Sequence, residues 1–96
     1  MSSREIQRLR RKILPILRRY RTRRAGLFGS CLRKNLKSVG DVDVLVDLRE
    51  EMSLLDVIGM KQDLEEALGK KVDLVEYSTI KPVLRERILQ SHVMIL

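Results

Sequence analysis

The sequence is poor in aromatic residues and in cysteine. It contains no tryptophan, one phenylalanine (Phe28) and two tyrosines (Tyr20 and Tyr77) among its 96 residues. Its only cysteine is Cys31, so neither an internal disulfide nor a cluster of thiolate metal ligands can form within the chain. The core must therefore be built from leucine, isoleucine and valine. His92 is the only histidine, and we expect it to be structural.

Long apolar runs are also missing. No stretch approaches the roughly 18 apolar residues that a membrane-spanning helix needs. The N-terminus lacks the apolar region of a signal peptide. We therefore expect a soluble, cytoplasmic protein with no membrane contact. The length suits one domain that covers residues 1–96.

Acidic residues are scarce at the N-terminal end. Residues 1–24 contain ten Lys or Arg and one acid, whereas residues 25–96 contain ten Lys or Arg and twelve acids. Ser2-x-x-Glu5 is a capping-box pattern, and apolar residues recur after it at three- and four-residue steps. This predicts a basic amphipathic helix that Pro15 kinks or splits. The basic face is either solvated or meets an acidic protein or nucleic acid. Nucleic acid is the less favoured partner because aromatic stacking residues are lacking.

Residues 41–47, DVDVLVD, alternate acids with valines. This period predicts a β-strand with one apolar face, and with Asp41 and Asp43 on the opposite face. Two carboxylates about 7 Å apart along a strand repel each other unless a cation lies between them. The pattern therefore predicts a divalent metal ion at this pair.

Gly29 and Ser30 close the apolar segment before this strand. Gly29 permits a tight turn, and Ser30 is predicted to cap a helix that runs through Leu36. The N-terminus of a helix offers free N–H groups and the positive end of its dipole to an anion. A phosphate site beside a carboxylate pair indicates metal-dependent phosphoryl or nucleotidyl transfer.

The rest of the chain continues the alternation of helices and strands. A capped helix is predicted from Ser53 to Gly69, a strand over residues 72–77, and a last helix from Ser78 onward. The first of these helices has a predicted apolar stripe of Leu54, Val57, Ile58, Leu64, Ala67 and Leu68. The apolar tail, residues 92–96, is predicted to be an edge strand or an interface. The fold class is therefore α/β (α+β), a small mixed β-sheet packed with helices that lie largely on one side.

Asp73 lies in the apolar strand VDLV. A buried, unpaired carboxylate there would cost several kcal/mol. The sequence leaves two interpretations open: a salt bridge to Lys70 or Arg85, or a bound metal ion.

The ordered motifs G-S-x-x-R, D-x-D-x-L-V and V-D-L-V resemble the nucleotidyltransferase superfamily that includes polymerase beta. The sequence is most similar to its smallest members, the minimal nucleotidyltransferases, and the resemblance covers nearly the whole chain. It implies a nucleotidyltransferase fold in one domain, with the basic helix at residues 1–24 and a catalytic α/β core at residues 25–96. A lone D-x-D is weak, but the ordered combination is specific.

The resemblance also implies roles for single residues. Asp41 and Asp43 would bind two Mg²⁺ ions that bridge the triphosphate of ATP, and Asp73 would hold the ion that activates the attacking hydroxyl. The outer phosphates would be held by Gly29, Ser30 and Arg33. Arg33 has a competing interpretation as an exposed helix arginine.

Three positions depart from the family pattern. Members commonly have arginine directly after the Gly-Ser pair, glycine after the second arginine, and serine before the first aspartate. This chain has Cys31, Lys34 and Gly40 there. We expect weaker nucleotide affinity rather than weaker metal binding, with compensation by Lys34 or Lys37. For Cys31, a small, partly buried side chain is favoured over a reactive thiol at a helix N-terminus.

Minimal nucleotidyltransferases resemble antitoxins encoded beside a HEPN-type toxin, a helical ribonuclease. This implies a Mg-dependent protein adenylyltransferase that transfers AMP from ATP to a tyrosine of the toxin. Two alternatives stay open: an antitoxin that binds its partner without chemistry, and a basic nucleic-acid-binding or tailing nucleotidyltransferase. Either a complex with this partner or a homodimer would cover the apolar tail at residues 92–96.

Overall fold

The computed structural model describes all residues 1–96 and contains three α-helices and one four-stranded sheet. The helices are α1 (Ser3–Arg19), α2 (Leu54–Leu68) and α3 (Pro82–Ser91), and the strands are β1 (Arg24–Phe28), β2 (Asp41–Asp47), β3 (Lys71–Glu76) and β4 (Val93–Met94). None of the three helices is both long enough and apolar enough to span a membrane. The predicted α/β class is confirmed.

The sheet is mixed, with the strand order β3-β2-β1-β4. β1 runs antiparallel to β2 and to β4, whereas β2 and β3 are parallel. Asp43 of β2 is therefore flanked by Phe28 of β1 and by Asp73 of β3. This register brings residues from distant parts of the chain, Phe28 and Asp73, together at Asp43.

The valine face of β2 carries the main core, as the alternation predicts. α1 and α2 cover this face, and α1 buries an apolar stripe against it. The side chains that are completely buried there are Leu9, Ile13, Leu17, Ala25, Leu27, Val42, Val44, Val46, Met60, Leu64 and Val72. An aliphatic core thus forms without any aromatic residue at its centre.

α1 is shorter than the predicted segment 1–24. It begins with the predicted capping box of Ser2 and Glu5, and it ends at Arg19, while Arg24 already belongs to β1. Pro15 lies inside the helix on its exposed side and does not split it. Burial of the neighbouring Ile16 and Leu17 against the sheet offsets the lost hydrogen bond.

α2 has the predicted ends but not the predicted apolar face. Ser53 caps it, and Gly69 ends it in the left-handed conformation, at φ 65°. Leu54 and Ile58 are 74% and 43% exposed. The buried side includes Met60, so the predicted stripe is wrong in its first turns.

Gly59 marks the place where α1 and α2 come close together. A Cβ atom at this position would lie 3.2 Å from the Tyr20 hydroxyl. That hydroxyl donates a 2.7 Å hydrogen bond to the Asp63 carboxylate on α2. The absence of a side chain at Gly59 therefore leaves room for a polar link between the two helices.

α3 lies on the other face of the sheet, which corrects the expectation that the helices gather largely on one side. A small second cluster joins Leu45 of β2 to Tyr77 and Ile80, with Phe28 and Ile88 packed against it. Leu45 is completely buried, although its neighbours in β2 on the same face are acids. This face therefore has an apolar centre covered by α3 and an acidic edge.

The C-terminal tail forms the predicted edge strand. β4 pairs with β1, and Ile95 after it is buried in the main core. Arg10 Nε of α1 donates a 2.9 Å hydrogen bond to the Ile95 carbonyl oxygen. His92 packs edge-on against Tyr77 and contacts the Leu89 carbonyl oxygen, as expected of a structural residue.

Candidate functional site

The register of β2 and β3 sets Asp43 beside Asp73, with Asp41 two residues away on the same face of β2. Asp41 and Asp73 are exposed, and Asp43 is partly buried. Two of these acids lie close together in sequence, but Asp73 reaches them only because β3 returns parallel to β2. The structure thus places all three predicted acids near the N-terminal ends of two adjacent strands, β2 and β3.

The three carboxylates have no cationic partner. The ion pairs in the structure are Arg19 with Asp63 and Arg24 with Asp47. Lys70, a proposed partner of Asp73, instead donates to the Val39 carbonyl oxygen at 2.8 Å. The salt-bridge interpretation of Asp73 is therefore wrong. The premise that this carboxylate is buried is also wrong, because β3 is an edge strand and Asp73 faces solvent.

Asp43 carries the electrostatic signature of this cluster. Partial burial raises its pKa above the ordinary value for aspartate, and the charge of Asp73, a hydrogen bond with Asp73 and the charge of Asp41 raise it further. Crowding of like charges is a common cause of such a shift at a functional site. A cation bound here would relieve the repulsion.

The donor set suits a hard divalent cation, although it is not a complete cage. No three His, Cys, Asp or Glu side chains are arranged as a preformed set of ligands. Mg²⁺ does not need such a set, because it is usually bound by one or two carboxylates together with water and substrate phosphates. Carboxylates on adjacent strands at Asp43 and Asp73 meet this description. The site therefore fits Mg²⁺ bound jointly with a phosphorylated substrate.

The Gly-Ser turn lies directly against Asp43. Gly29 has φ +79°, a conformation that favours glycine, and a Cβ atom here would lie 2.8 Å from Asp43 Oδ2. The segment Gly29–Arg33 is a short 3₁₀ helix, so the predicted α-helix capped by Ser30 and running through Leu36 is wrong. The turn nevertheless presents its backbone beside the carboxylates.

Gly29, Ser30 and Arg33 line one hollow, together with Leu32 and Ser91. Ser30 and Arg33 are both exposed there. The three residues predicted to bind phosphate are therefore gathered at one surface, next to the acid cluster. No structural partner accounts for Arg33, because it takes part in neither ion pair.

Cys31 points away from this hollow. Its side chain is 1% exposed, and the thiol donates to the Phe28 carbonyl oxygen at 3.0 Å. Burial raises the pKa of the thiol, which is the opposite of an activated nucleophile. The interpretation of Cys31 as a small, buried side chain agrees with the structure.

Sequence reasoning missed a cleft that adjoins the turn. It has a volume of about 200 Å³, and α3 forms one of its walls. Its lining residues are Phe28, Gly29, Leu84, Arg87, Ile88 and Ser91. The four α3 residues occupy positions i, i+3, i+4 and i+7 of the helix, and this spacing was the only signal in the sequence that could have revealed the wall.

Gly29→Ala is expected to destabilise the fold more than Gly69→Ala does. Both glycines have positive φ, so each substitution costs about 1 kcal/mol or more in backbone strain. Only at Gly29 must the Asp43 carboxylate also turn away, because nothing lies within 4 Å of a Cβ at Gly69. Urea unfolding of both variants measures the difference. In an Asp43→Ala background the extra cost should disappear, and its persistence would contradict this account.

The chain matches the family described as polymerase beta, nucleotidyltransferase, over residues 11–96. A provisionally named protein adenylyltransferase of Methanocaldococcus jannaschii is 45% identical over 91 residues, which cover 95% of this chain and 98% of the relative. The protein adenylyltransferase MntA of Thermococcus cleftensis is 41% identical over 73 residues, 76% of this chain and 74% of that protein.

Solved structures give the same fold. A provisionally assigned minimal nucleotidyltransferase superposes with a TM-score of 0.78 and 32% identity, covering 97% of this chain and 95% of the other. The antitoxin in a complex with a tri-AMPylated HEPN toxin from Shewanella oneidensis has a TM-score of 0.70 at 24% identity, covering 95% of this chain and 71% of the other. The second likeness concerns the fold alone.

Proposed function

The chain belongs to the minimal nucleotidyltransferases of the polymerase beta nucleotidyltransferase family, and we propose that it is a Mg-dependent protein adenylyltransferase that acts as an antitoxin. In this proposal the hydroxyl oxygen of a tyrosine of a HEPN-type toxin bonds to the α-phosphorus of ATP, the bond to the β-phosphate breaks, and pyrophosphate and the tyrosine proton leave. The attached AMP silences the toxin. Relatives named protein adenylyltransferase support AMP as the transferred group. The AMPylated HEPN toxin bound to a similar antitoxin supports the class of partner.

The observation that carries the proposal is the cluster of Asp41, Asp43 and Asp73, in which Asp43 lies beside Asp73 and against the Gly29 turn. When bound, two Mg²⁺ ions would supply charge stabilisation for the attacking and leaving oxygens of an in-line displacement. Asp41 and Asp43 are the residues that would hold both ions. Asp73 stands at the exposed edge of the sheet, where a hydroxyl of another protein can approach.

The Gly-Ser turn would hold the outer phosphates of ATP. Gly29 lets the backbone approach closely, and the exposed Ser30 hydroxyl can donate a hydrogen bond. The Arg33 guanidinium, free of ion pairs, can form charge-assisted hydrogen bonds to phosphate oxygens. Together these contacts would orient the α-phosphorus of ATP toward Asp73, where the tyrosine hydroxyl of the toxin would approach.

AMP transfer is testable by weighing the partner. We expect a HEPN-type toxin encoded beside this chain to gain one or more AMP units when it is incubated with the protein, ATP and Mg²⁺. A matched reaction with Asp41→Asn should leave the toxin unmodified, because one of the two acids that hold the ions is lost. Mass spectrometry of the intact toxin, followed by tyrosine mapping, decides the outcome. Neutralisation without any mass gain would favour the non-catalytic antitoxin.

A second candidate function, nucleic-acid binding, is favoured by one observation on α1. Arg4, Arg8, Arg11 and Arg18 are exposed and take part in no ion pair. Phosphate contacts weaken steeply with salt. Retention of RNA at micromolar protein that vanishes at raised salt would support this candidate.

A cytoplasmic location and a homodimer stay predictions, and sedimentation of the isolated chain tests the homodimer.

A further inference from the structure

α3 presents one arginine within an otherwise largely apolar face. Leu84, Arg87, Ile88 and Ser91 share one side of the helix because their spacing follows the helical repeat. All four line the cleft of about 200 Å³ beside Gly29. Arg87 is the only charged residue among those that line this cleft, and its side chain is exposed.

Arg87 has no partner within the protein. It takes part in neither of the two ion pairs, and no hydrogen bond reaches its guanidinium. Only its carbonyl oxygen is engaged, accepting from the Ser91 hydroxyl at 3.3 Å. The adjacent acid Glu86 lines a different cavity, with Pro82 and Gln90. The guanidinium is therefore available to an anion from outside the chain.

The cleft adjoins the hollow of the Gly-Ser turn. Gly29 and Ser91 line both, Arg33 lines the hollow, and Arg87 lines the cleft. The two arginines therefore flank the turn. Cys31 supplies no positive charge to the turn, because a thiol is neutral or anionic, and its side chain is buried and hydrogen-bonded to the backbone.

We propose that Arg87 is a nucleotide-binding residue that contacts the phosphates of ATP from the α3 side of the turn. This inference rests on the proposed function, which assigns ATP to this site. Arg87 would then supply the positive charge that is missing at Cys31. The apolar side chains of Leu84 and Ile88 would limit access of water and so strengthen the charge-assisted hydrogen bonds.

The test is calorimetric titration of Mg–ATP into the full chain. Arg87→Gln is expected to weaken binding about ten- to hundredfold, the loss typical of a hydrogen bond to a charged group. Arg87→Lys should recover part of this loss, because it retains the charge without the planar fork. Adenosine, which lacks phosphates, should bind wild type and Arg87→Gln alike.

Arg85→Gln is the matched control on the same helix. Arg85 lines a neighbouring cavity with Arg24 and Tyr77. The affinity of Arg85→Gln for Mg–ATP should therefore stay within about twofold of that of wild type. Arg85 and Arg87 are both exposed, so thermal melts should show both variants folded.

Binding of Mg–ATP by Arg87→Gln at wild-type strength would overturn the assignment, even if the variant bound the toxin less well. An equal loss for adenosine would overturn it too, because a phosphate contact cannot produce that loss. If wild type transfers AMP and Arg87→Gln is unaffected, only this inference fails. If wild type neither binds Mg–ATP nor modifies the toxin, the proposed function fails together with it.

Discussion

Asp43→Asn should abolish AMP transfer while leaving the metal-free protein at least as stable as wild type. The substitution removes one of three crowded negative charges and nearly preserves the shape of the side chain. Relief of such repulsion is expected to leave the free energy of unfolding unchanged or raise it by up to about 2 kcal/mol. In the proposed mechanism Asp43 would hold both ions, and its loss would remove several kcal/mol of transition-state stabilisation, so transfer should fall by about a thousandfold or more.

Thermal melts with and without Mg–ATP, in chelator-treated buffer for the metal-free arm, separate the two effects. Wild type should gain about 2.7 kcal/mol at a ligand concentration of one hundred times Kd, and the variant should gain little. In a domain of this size each kcal/mol corresponds to roughly 4 to 8 °C in Tm. A variant that melts well below wild type without metal, yet responds normally to Mg–ATP, would make Asp43 a structural acid and refute the metal assignment.

The pH dependence of this stability difference follows from the raised pKa of Asp43. A carboxyl whose folded-state pKa lies above its unfolded value destabilises the fold where it is ionised, and this penalty disappears as the pH falls through the folded pKa. The advantage of Asp43→Asn should therefore be largest near neutral pH and shrink toward the ordinary aspartate pKa. Urea unfolding of both proteins between pH 7 and pH 3.5 measures it. A gap that widens on acidification would contradict the sign of the shift.

Much of the site was predictable because its signals are local. The alternation in residues 41–47 placed Asp41 and Asp43 opposite the valine face, and the structure has them there. Gly29 was correctly placed at a tight turn, since its positive φ suits few other residues. Local patterns thus predicted the acid pair on β2 and the Gly29 turn, but they did not predict the distance between these two parts of the site.

The remaining features depend on contacts between distant segments. No local pattern shows that β3 is parallel to β2 with Asp73 level with Asp43. This register determines that Asp73, and no other acid, lies beside Asp43. The side of the sheet on which α3 lies depends on Leu45, whose burial interrupts an acidic face. For the same reason the short 3₁₀ helix at Gly29 and the cleft beside Arg87 were not predicted.

Truncation of Leu45 is expected to test whether α3 must be docked for nucleotide binding. Leu45→Ala removes a completely buried side chain from the small cluster beneath α3 and should cost about 2 to 5 kcal/mol of stability. A small domain has only about 5 to 15 kcal/mol in total, so the variant should melt tens of degrees lower at the upper end of this range. Hydrogen exchange should show the amides of α3 losing protection first.

Leu64→Ala is the matched control, because it deletes the same atoms from a completely buried leucine in the main core on the opposite face. Its loss of stability should be similar, since the cavity term has the same origin. At a temperature where both variants remain folded, Leu45→Ala should bind Mg–ATP about tenfold more weakly than Leu64→Ala, because a loosened α3 no longer holds Arg87 beside the Gly29 turn. Equal affinities in the two variants, with α3 protected from exchange only in Leu64→Ala, would show that α3 contributes to folding and not to the nucleotide site.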